Sequence, residues 1–255
     1  MTQRPDIGVL LKDSAPLIKI MKGLFIEEAT LLNPEECLPR PDRVTVYLSN
    51  HGPITAPFPP PILTVEHLLK LGGYDDFVAV TLFHWIVEVT PGLSPLLKRY
   101  MGHSTRALRT LEGVTEMMRQ RRFNIIGTAP EGSSSGYYYD EPVGPFTRCG
   151  LIVAGLLAGA DFILTAQKGI EHFGRRVPFP GGGLKLPVVG RPRGVQLINW
   201  YPGKRARVTL RFGRYVPGTT PEQLARAVKA ERRALVGQEI GKIRAQLNEQ
   251  YRAIV

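Results

Sequence analysis

The sequence predicts an α/β fold, a mixed and mostly parallel sheet flanked by helices. Three observations lead there. Short apolar runs end repeatedly in turn residues, helical stripes stand between them, and loops rich in Gly, Pro and Ser follow the runs. The 255 residues, 43% hydrophobic and 22% charged, suffice for one sizeable domain. No repeat or low-complexity block interrupts them.

Residues 7–33 mix apolar and charged positions, among them Leu10, Leu17, Ile18, Met21 and Phe25. They read as one or two amphipathic helices, packed on the domain or lying against a membrane. An N-terminal helical segment is therefore expected over 1–39, and the α/β domain over 40–219. Arg43 to Ser49 alternates β-branched and aromatic residues and predicts a strand, which runs into the turn Asn50-His51-Gly52-Pro53. Pro57 and Pro59 to Pro61 predict extended or irregular chain, followed by a short helix over 64–71. Val78 to Phe83 reads as a buried strand.

Ser104 to Gln120 carries Ala107, Leu108, Leu111, Val114 and Met118 on one helical face, with Arg109, Glu112, Glu116 and Arg119 opposite. A strand over Phe123 to Ile126 then delivers the loop Gly127 to Gly136. An apolar helix over Leu151 to Ala160 leads to a strand at Phe162 to Ala166, with later strands at Val195 to Asn199 and Arg207 to Phe212. Thr220 is an N-cap with Pro221 at the first helical position. It opens an amphipathic helix over 220–255 with Leu224, Val228, Leu235, Ile240, Ile243, Leu247 and Tyr251 on one face.

The net charge of +11 suits an anionic lipid surface, a nucleic acid or an acidic substrate. No recognition motif or basic–aromatic interleaving supports nucleic acid, which is not expected as a partner. The start of the chain does not read as a signal peptide, and the apolar stretches Phe77 to Val89 and Leu151 to Leu164 are too short to span a bilayer. Cys37 and Cys149 have no framework or metal spacing, which fits a reducing compartment. The expected location is cytoplasmic, peripheral on the inner face of a membrane.

Two constellations carry chemistry. His51, delivered by a strand into a tight turn, is suited to take a proton from an alcohol near neutral pH. Pro130-Glu131-Gly132 follows a second strand, in a loop whose N–H groups and hydroxyls suit an oxyanion or a phosphate. Gly132-Ser133-Ser134-Ser135-Gly136 also satisfies the letters of a serine nucleophile elbow, so a serine hydrolase stands as a further reading. No metal spacing joins the histidines to other ligands.

The order Tyr47-Leu-Ser-Asn50-His51, Gly102 with Arg106, Thr128-Ala-Pro130-Glu131-Gly132-Ser133-Ser134-Ser135 and Phe146-Thr-Arg148-Cys-Gly150 resembles the lysophospholipid and glycerol-phosphate acyltransferase family. The resemblance covers roughly residues 40–170. It implies an acyltransferase-like domain and O-acyl transfer from acyl-CoA or an acyl carrier protein to a lysolipid or other hydroxyl acceptor, with no cofactor. His51 would be the base. Asn50, Arg106, Pro130, Glu131, Gly132, Ser133, Ser134 and Arg148 would contact substrate. The chain departs from the family pattern at Ala56, where the family has Asp, and at Ser134, where it has Arg. Glu66, Asp75, Asp76 and Glu88 are the carboxylates that could replace the Asp. The first departure also suggests a catalytically impaired acyl- or lipid-binding protein on the same fold.

Overall fold

The structure, a computed structural model, describes residues 8–51, 59–81, 110–180, 185–187, 189–199, 201 and 203–255. The strands are β1 (Val9–Leu10), β2 (Ile26–Leu32), β3 (Thr45–Ser49), β4 (Val78–Thr81), β5 (Ile125–Thr128), β6 (Tyr137–Tyr138), β7 (Asp161–Lys168), β8 (Gly174–Pro178), β9 (Gly194–Ile198) and β10 (Ala206–Tyr215). The α-helices are α1 (Leu11–Phe25), α2 (Pro59–Leu71), α3 (Leu111–Arg119), α4 (Gly150–Ala158), α5 (Pro221–Arg226) and α6 (Lys229–Arg252).

Among the described residues the main sheet runs β1-β4-β5-β3-β7-β10-β2. Its centre, β4-β5-β3-β7, is parallel, while β10 lies antiparallel to β7 and parallel to β2. This is the mixed, mostly parallel sheet that the sequence predicts. Its central strands are buried on both faces, which is why they read as apolar runs. Val46, Leu48, Phe162 and Leu164 meet Val114, Ile152, Leu156, Ile243 and Leu247 of α3, α4 and α6. Tyr47, Ile125 and Ile163 belong to the core on the other face, with Leu11, Ile18, Ile62, Leu63 and Leu68 of α1 and α2. α4 approaches β3 and β7 closely at Gly155, where an added Cβ would stand 2.7 Å from Phe162 Cζ and 3.2 Å from Val46 Cγ2.

Several boundaries differ from the sequence reading. Residues 26–32 are a strand, pairing with β10, so the helical segment expected over residues 7–33 stops at Phe25. Buried Ile26 joins the core on the α1 face, while Glu27 and Glu28 stay exposed beside Arg207. Pro59 to Pro61 do not make irregular chain; they begin α2. Prolines fit a first turn because its N–H groups have no intrahelical acceptor. Residues 104–109 lie outside the described chain, but extended Thr110 caps α3 by accepting from Gly113 N at 3.1 Å.

Thr220 and Gln223 form the capping box at the start of α5, with Pro221 in the first turn. The expected single C-terminal helix is nevertheless two. Arg232 donates to the carbonyls of Leu224 at 2.7 Å and Ala227 at 3.3 Å, satisfying the end of α5 from within α6. Val228, in the break, is 70% exposed and leaves the apolar stripe.

The long helix α6 is fixed to β10 and its following turn through a buried carboxylate. Glu239 accepts from the Tyr215 hydroxyl, and at 3.2 Å each from Thr219 Oγ1, Gly218 N and Lys242 Nζ. Burial alone would raise this carboxyl, but the bonds from Tyr215, Lys242, Gly218 and Thr219 outweigh it and hold the group below its ordinary value. Its stabilising contribution is therefore complete above about pH 4.5 and fades as pH falls through the lower native value. Glu239→Gln is expected to cost about 1–3 kcal/mol. It should also weaken the acid dependence of the melting temperature below pH 4.5, as followed by circular dichroism. A variant as stable and as acid-sensitive as wild type contradicts this role.

Candidate active site

β3 and β5 are neighbours and parallel, with Leu48 opposite Thr128, so both end at the same edge of the sheet. That topology sets Asn50-His51 beside Ala129 to Gly132, eighty residues further along. The C-terminal edge of a parallel sheet is the usual place for a ligand, because the loops leaving it are free to vary.

The turn after β3 is fixed from both sides. Towards β7, Asn50 Oδ1 accepts from Gln167 N at 2.7 Å, Asn50 Nδ2 donates to Gln167 O at 3.1 Å, and Gln167 Nε2 donates to Asn50 O at 2.6 Å. Both side chains are buried. Asn50, which the sequence reading expected to contact substrate, thus continues the β3–β7 ladder with its amide.

Towards β5, Glu131 Oε2 accepts from the backbone N–H of His51, and Oε1 accepts from Gly144 N at 2.6 Å. Glu131 is only 4% exposed. The Glu131-Gly132 loop was expected to help place the acceptor. The Glu131 carboxylate itself is turned inward onto main chain, where two separate segments converge on it.

Around Glu131 the turn is held by the segment before α4. Pro130 O accepts from Thr147 N at 3.0 Å and Arg148 N at 2.9 Å, and Thr147 Oγ1 donates to Glu131 O at 2.5 Å. Gly132 has φ +53°, and a Cβ there would meet Arg148 Cγ at 2.7 Å and Thr147 Oγ1 at 2.8 Å. A side chain at this position is excluded by backbone conformation and by space together. Arg148 is exposed, its stem lying over Gly132.

The third support comes from α6. Arg244 Nε donates to Gly144 O at 2.9 Å, and Asn248 Oδ1 accepts from Val143 N at 2.9 Å. Gln167, Gly144, Arg244 and Asn248 were not singled out by sequence reasoning. A signal existed for Gln167, an amide that follows the mostly apolar run Phe162 to Ala166 in the same strand. Arg244 and Asn248 carry none, since polar residues are ordinary on a long helix.

His51 is half-buried at this edge. The carboxylates named as replacements for the missing Asp are placed unevenly. Asp75 and Asp76 immediately precede β4, which is parallel to β5, so they lie at the opposite edge, roughly 15 Å or more away. Glu66 bonds Lys22 at 2.8 Å and Lys70 at 3.1 Å. Ala56, Glu88 and Arg106 lie outside the described residues.

Residues 132–136 form a 3₁₀-helix leading into β6. Ser135 Oγ donates to Gly132 O at 2.7 Å and is buried. The letters of a nucleophile elbow make Ser134, not Ser135, its serine. The backbone of Ser133 and Ser134 belongs to the same 3₁₀-helix. Lys168, a further cation at this edge, is bound to Ile254 O at 2.6 Å. Both cysteines are free thiols, and burial pushes Cys37 up to about 12, far from thiolate chemistry. Among the described residues no three His, Cys, Asp or Glu side chains stand together as a metal site. No described helix is long and apolar enough to cross a membrane.

Among solved structures, the chain is similar to the crystal structure of the 1-acyl-sn-glycerophosphate (LPA) acyltransferase PlsC from Thermotoga maritima. The two share 17% identity over 93% of this chain and 79% of that one, with a TM-score of 0.48. A likeness at that level does not bear on what this chain does. No protein-family model matches the sequence, and no curated protein matches it.

Burial pushes the Glu131 carboxyl up to about 7, while the His51 and Gly144 N–H groups and the charge of Arg244 restrain it from going further. The native state thus keeps this proton over a range where the unfolded chain, ordinary at 4.5, has lost it. Stability from this group is complete below pH 4.5, declines as pH rises towards 7, and is level above that. Glu131→Gln should flatten the decline, because an amide does not titrate. It should also destabilise by about 1–3 kcal/mol, since one of the two N–H groups then faces an NH₂ donor. Melting temperatures across pH 4.5 to 7 test this, and an unchanged slope in the variant would remove Glu131 as its source.

Proposed function

We propose that this protein transfers an acyl group from a thioester to a hydroxyl, with His51 as general base. The observation that carries the reading is the Glu131 carboxylate joining the His51 main chain to the Gly144 loop. It unites the two motifs that resemble acyltransferase motifs at one sheet edge, and it holds the histidine backbone in place.

In this mechanism the imidazole takes the proton of the acceptor hydroxyl as its oxygen attacks the thioester carbonyl. The tetrahedral intermediate collapses, the C–S bond breaks, and the thiol leaves with the proton returned to it. The ester remains on the acceptor. The donor is an acyl-CoA or an acyl carrier protein, and the acceptor a lysolipid or related alcohol. No cofactor takes part. Arg106 and Arg148 are the cations assigned to the phosphate of donor or acceptor. The oxyanion needs donors that the fold has not already used. The N–H of His51 is held by Glu131, and that of Gly132 donates to Ala129 O at 3.3 Å.

A second reading follows from Ala56. Without the family's Asp to orient the imidazole, the same site could hold an acyl chain and turn over slowly or not at all, because a histidine in the wrong tautomer loses orders of magnitude in rate.

His51→Ala separates the two. Transfer from acyl-CoA should fall by about 10²–10⁴-fold. The melting temperature should stay near wild type, because alanine retains the N–H that Glu131 accepts. Acyl-CoA binding with no transfer by the wild type supports the second reading. Transfer by the variant within a few-fold of wild type rules His51 out as the base.

The acceptor follows from Ser134. Serine cannot supply the planar, charged fork with which arginine holds a phosphate. A contact of that kind is worth about 1.5–3 kcal/mol, or about one to two decades in affinity. Non-phosphorylated acceptors, such as a glycolipid or a simple alcohol, are therefore expected to compete well with lysophosphatidic acid. Ratios of kcat/KM measured side by side check this, and a clear preference for lysophosphatidic acid contradicts it.

A further inference from the structure

The small antiparallel sheet β6-β9-β8 has an inverted burial pattern. In β9 the buried side chain is polar Gln196, while its neighbour Leu197 is 50% exposed and Val195 is half-buried. Cross-strand register sets Leu197 opposite Arg175, and Val195 opposite both Val177 and Tyr137. These five residues therefore share one face. Val177 is 38% exposed on it and Arg175 is exposed. A face turned to water would carry polar residues at these positions. This one carries aliphatic groups beside a cation.

Charge is concentrated in the same stretch. Between residues 171 and 205 seven Lys and Arg accompany a single acid, Glu171. Glu171 accepts from Tyr251 and from Gly169 N, so it is turned to the protein. Arg175, Arg176, Lys185 and Arg191 are exposed.

We infer that the outward face of β6-β9-β8 docks on an anionic lipid bilayer. The aliphatic side chains enter the interfacial region while the arginines meet lipid phosphates. Charge alone would serve a nucleic acid equally well. The exposed Val177 and Leu197 decide between them, because a phosphate backbone offers aliphatic groups nothing and a bilayer takes them in. The surface adjoins the site described above: the 3₁₀-helix after Glu131 runs directly into β6, and β7 reaches β8 from the edge that holds His51. Docking there would bring that edge to the lipid. The inference does not depend on acyl transfer.

The test is co-sedimentation of the full chain with phosphatidylcholine vesicles, and with vesicles of phosphatidylcholine and phosphatidylglycerol in equal parts. Wild type should pellet with the anionic vesicles, lose binding in high salt, and bind the neutral ones poorly. Val177→Asp with Leu197→Asp should abolish pelleting. Arg175→Glu, on an exposed edge strand beside the apolar pair, should weaken it by about fivefold or more, at roughly 1 kcal/mol per basic residue. Wild-type pelleting by a folded variant, equal binding to neutral vesicles, or retention on an oligonucleotide in place of vesicles overturns the inference. So does a dimer abolished by the apolar pair without any vesicle binding. His51→Ala keeps the two ideas apart, since it should pellet as wild type whatever it does to acyl transfer.

Discussion

A buried carboxylate that accepts from main chain on two sides is a constraint of unusual reach. Glu131 draws the turn after β3 and the loop before α4 onto one side chain. Both oxygens are used on N–H groups, and these partners favour the ionised form while burial opposes it. Much of the surrounding sequence serves to make that arrangement tolerable. Thr147 and the Arg148 backbone satisfy the carbonyls of the same turn, and Gly132 makes room for the Arg148 stem. Asn50 and Gln167 then fix the other flank, so that the backbone of His51 is held on both sides.

The C-terminal helix is part of this arrangement. α6 is fixed to β10 through Glu239 and its apolar contacts, and from that base Arg244 and Asn248 hold residues 143 and 144. A helix that reads as cover for the sheet is thus also what supports one of the two donors to Glu131. Substitutions on α6 would be felt at the sheet edge without touching any substrate.

How much of this was legible follows from where the information lies. The parallel strands were visible because burial on both faces leaves apolar runs such as Phe162 to Ala166. β8 was not, since Gly174-Arg-Arg-Val-Pro178 is an exposed edge strand with no alternation to read. The proline run before Ile62 misled, because its residues suit a first helical turn as well as irregular chain, and only packing decides. At the site, the sequence reading singled out His51, Glu131 and Asn50, but not that Glu131 and Asn50 would bond main chain. Residue type says that a carboxylate or an amide is present. Whether it faces solvent or main chain is settled by which strands are neighbours, and eighty residues of separation conceal that.

The edge of the main sheet has a further consequence, for the order in which the chain becomes structured. β2 forms one margin, and its partner in the sheet is β10, with Ala29 beside Val208 and Leu31 beside Leu210. During synthesis, residues 26–32 must leave the ribosome and wait for about 180 more before that partner exists. Parallel pairing over such a separation is slow, because a long loop must close before any contact forms. Until then Ile26 and its flanking apolar residues lack their place in the core, and an unpaired strand is a template for other chains. The exposed Glu27 and Glu28 interrupt this strand with charge, a feature that disfavours such pairing.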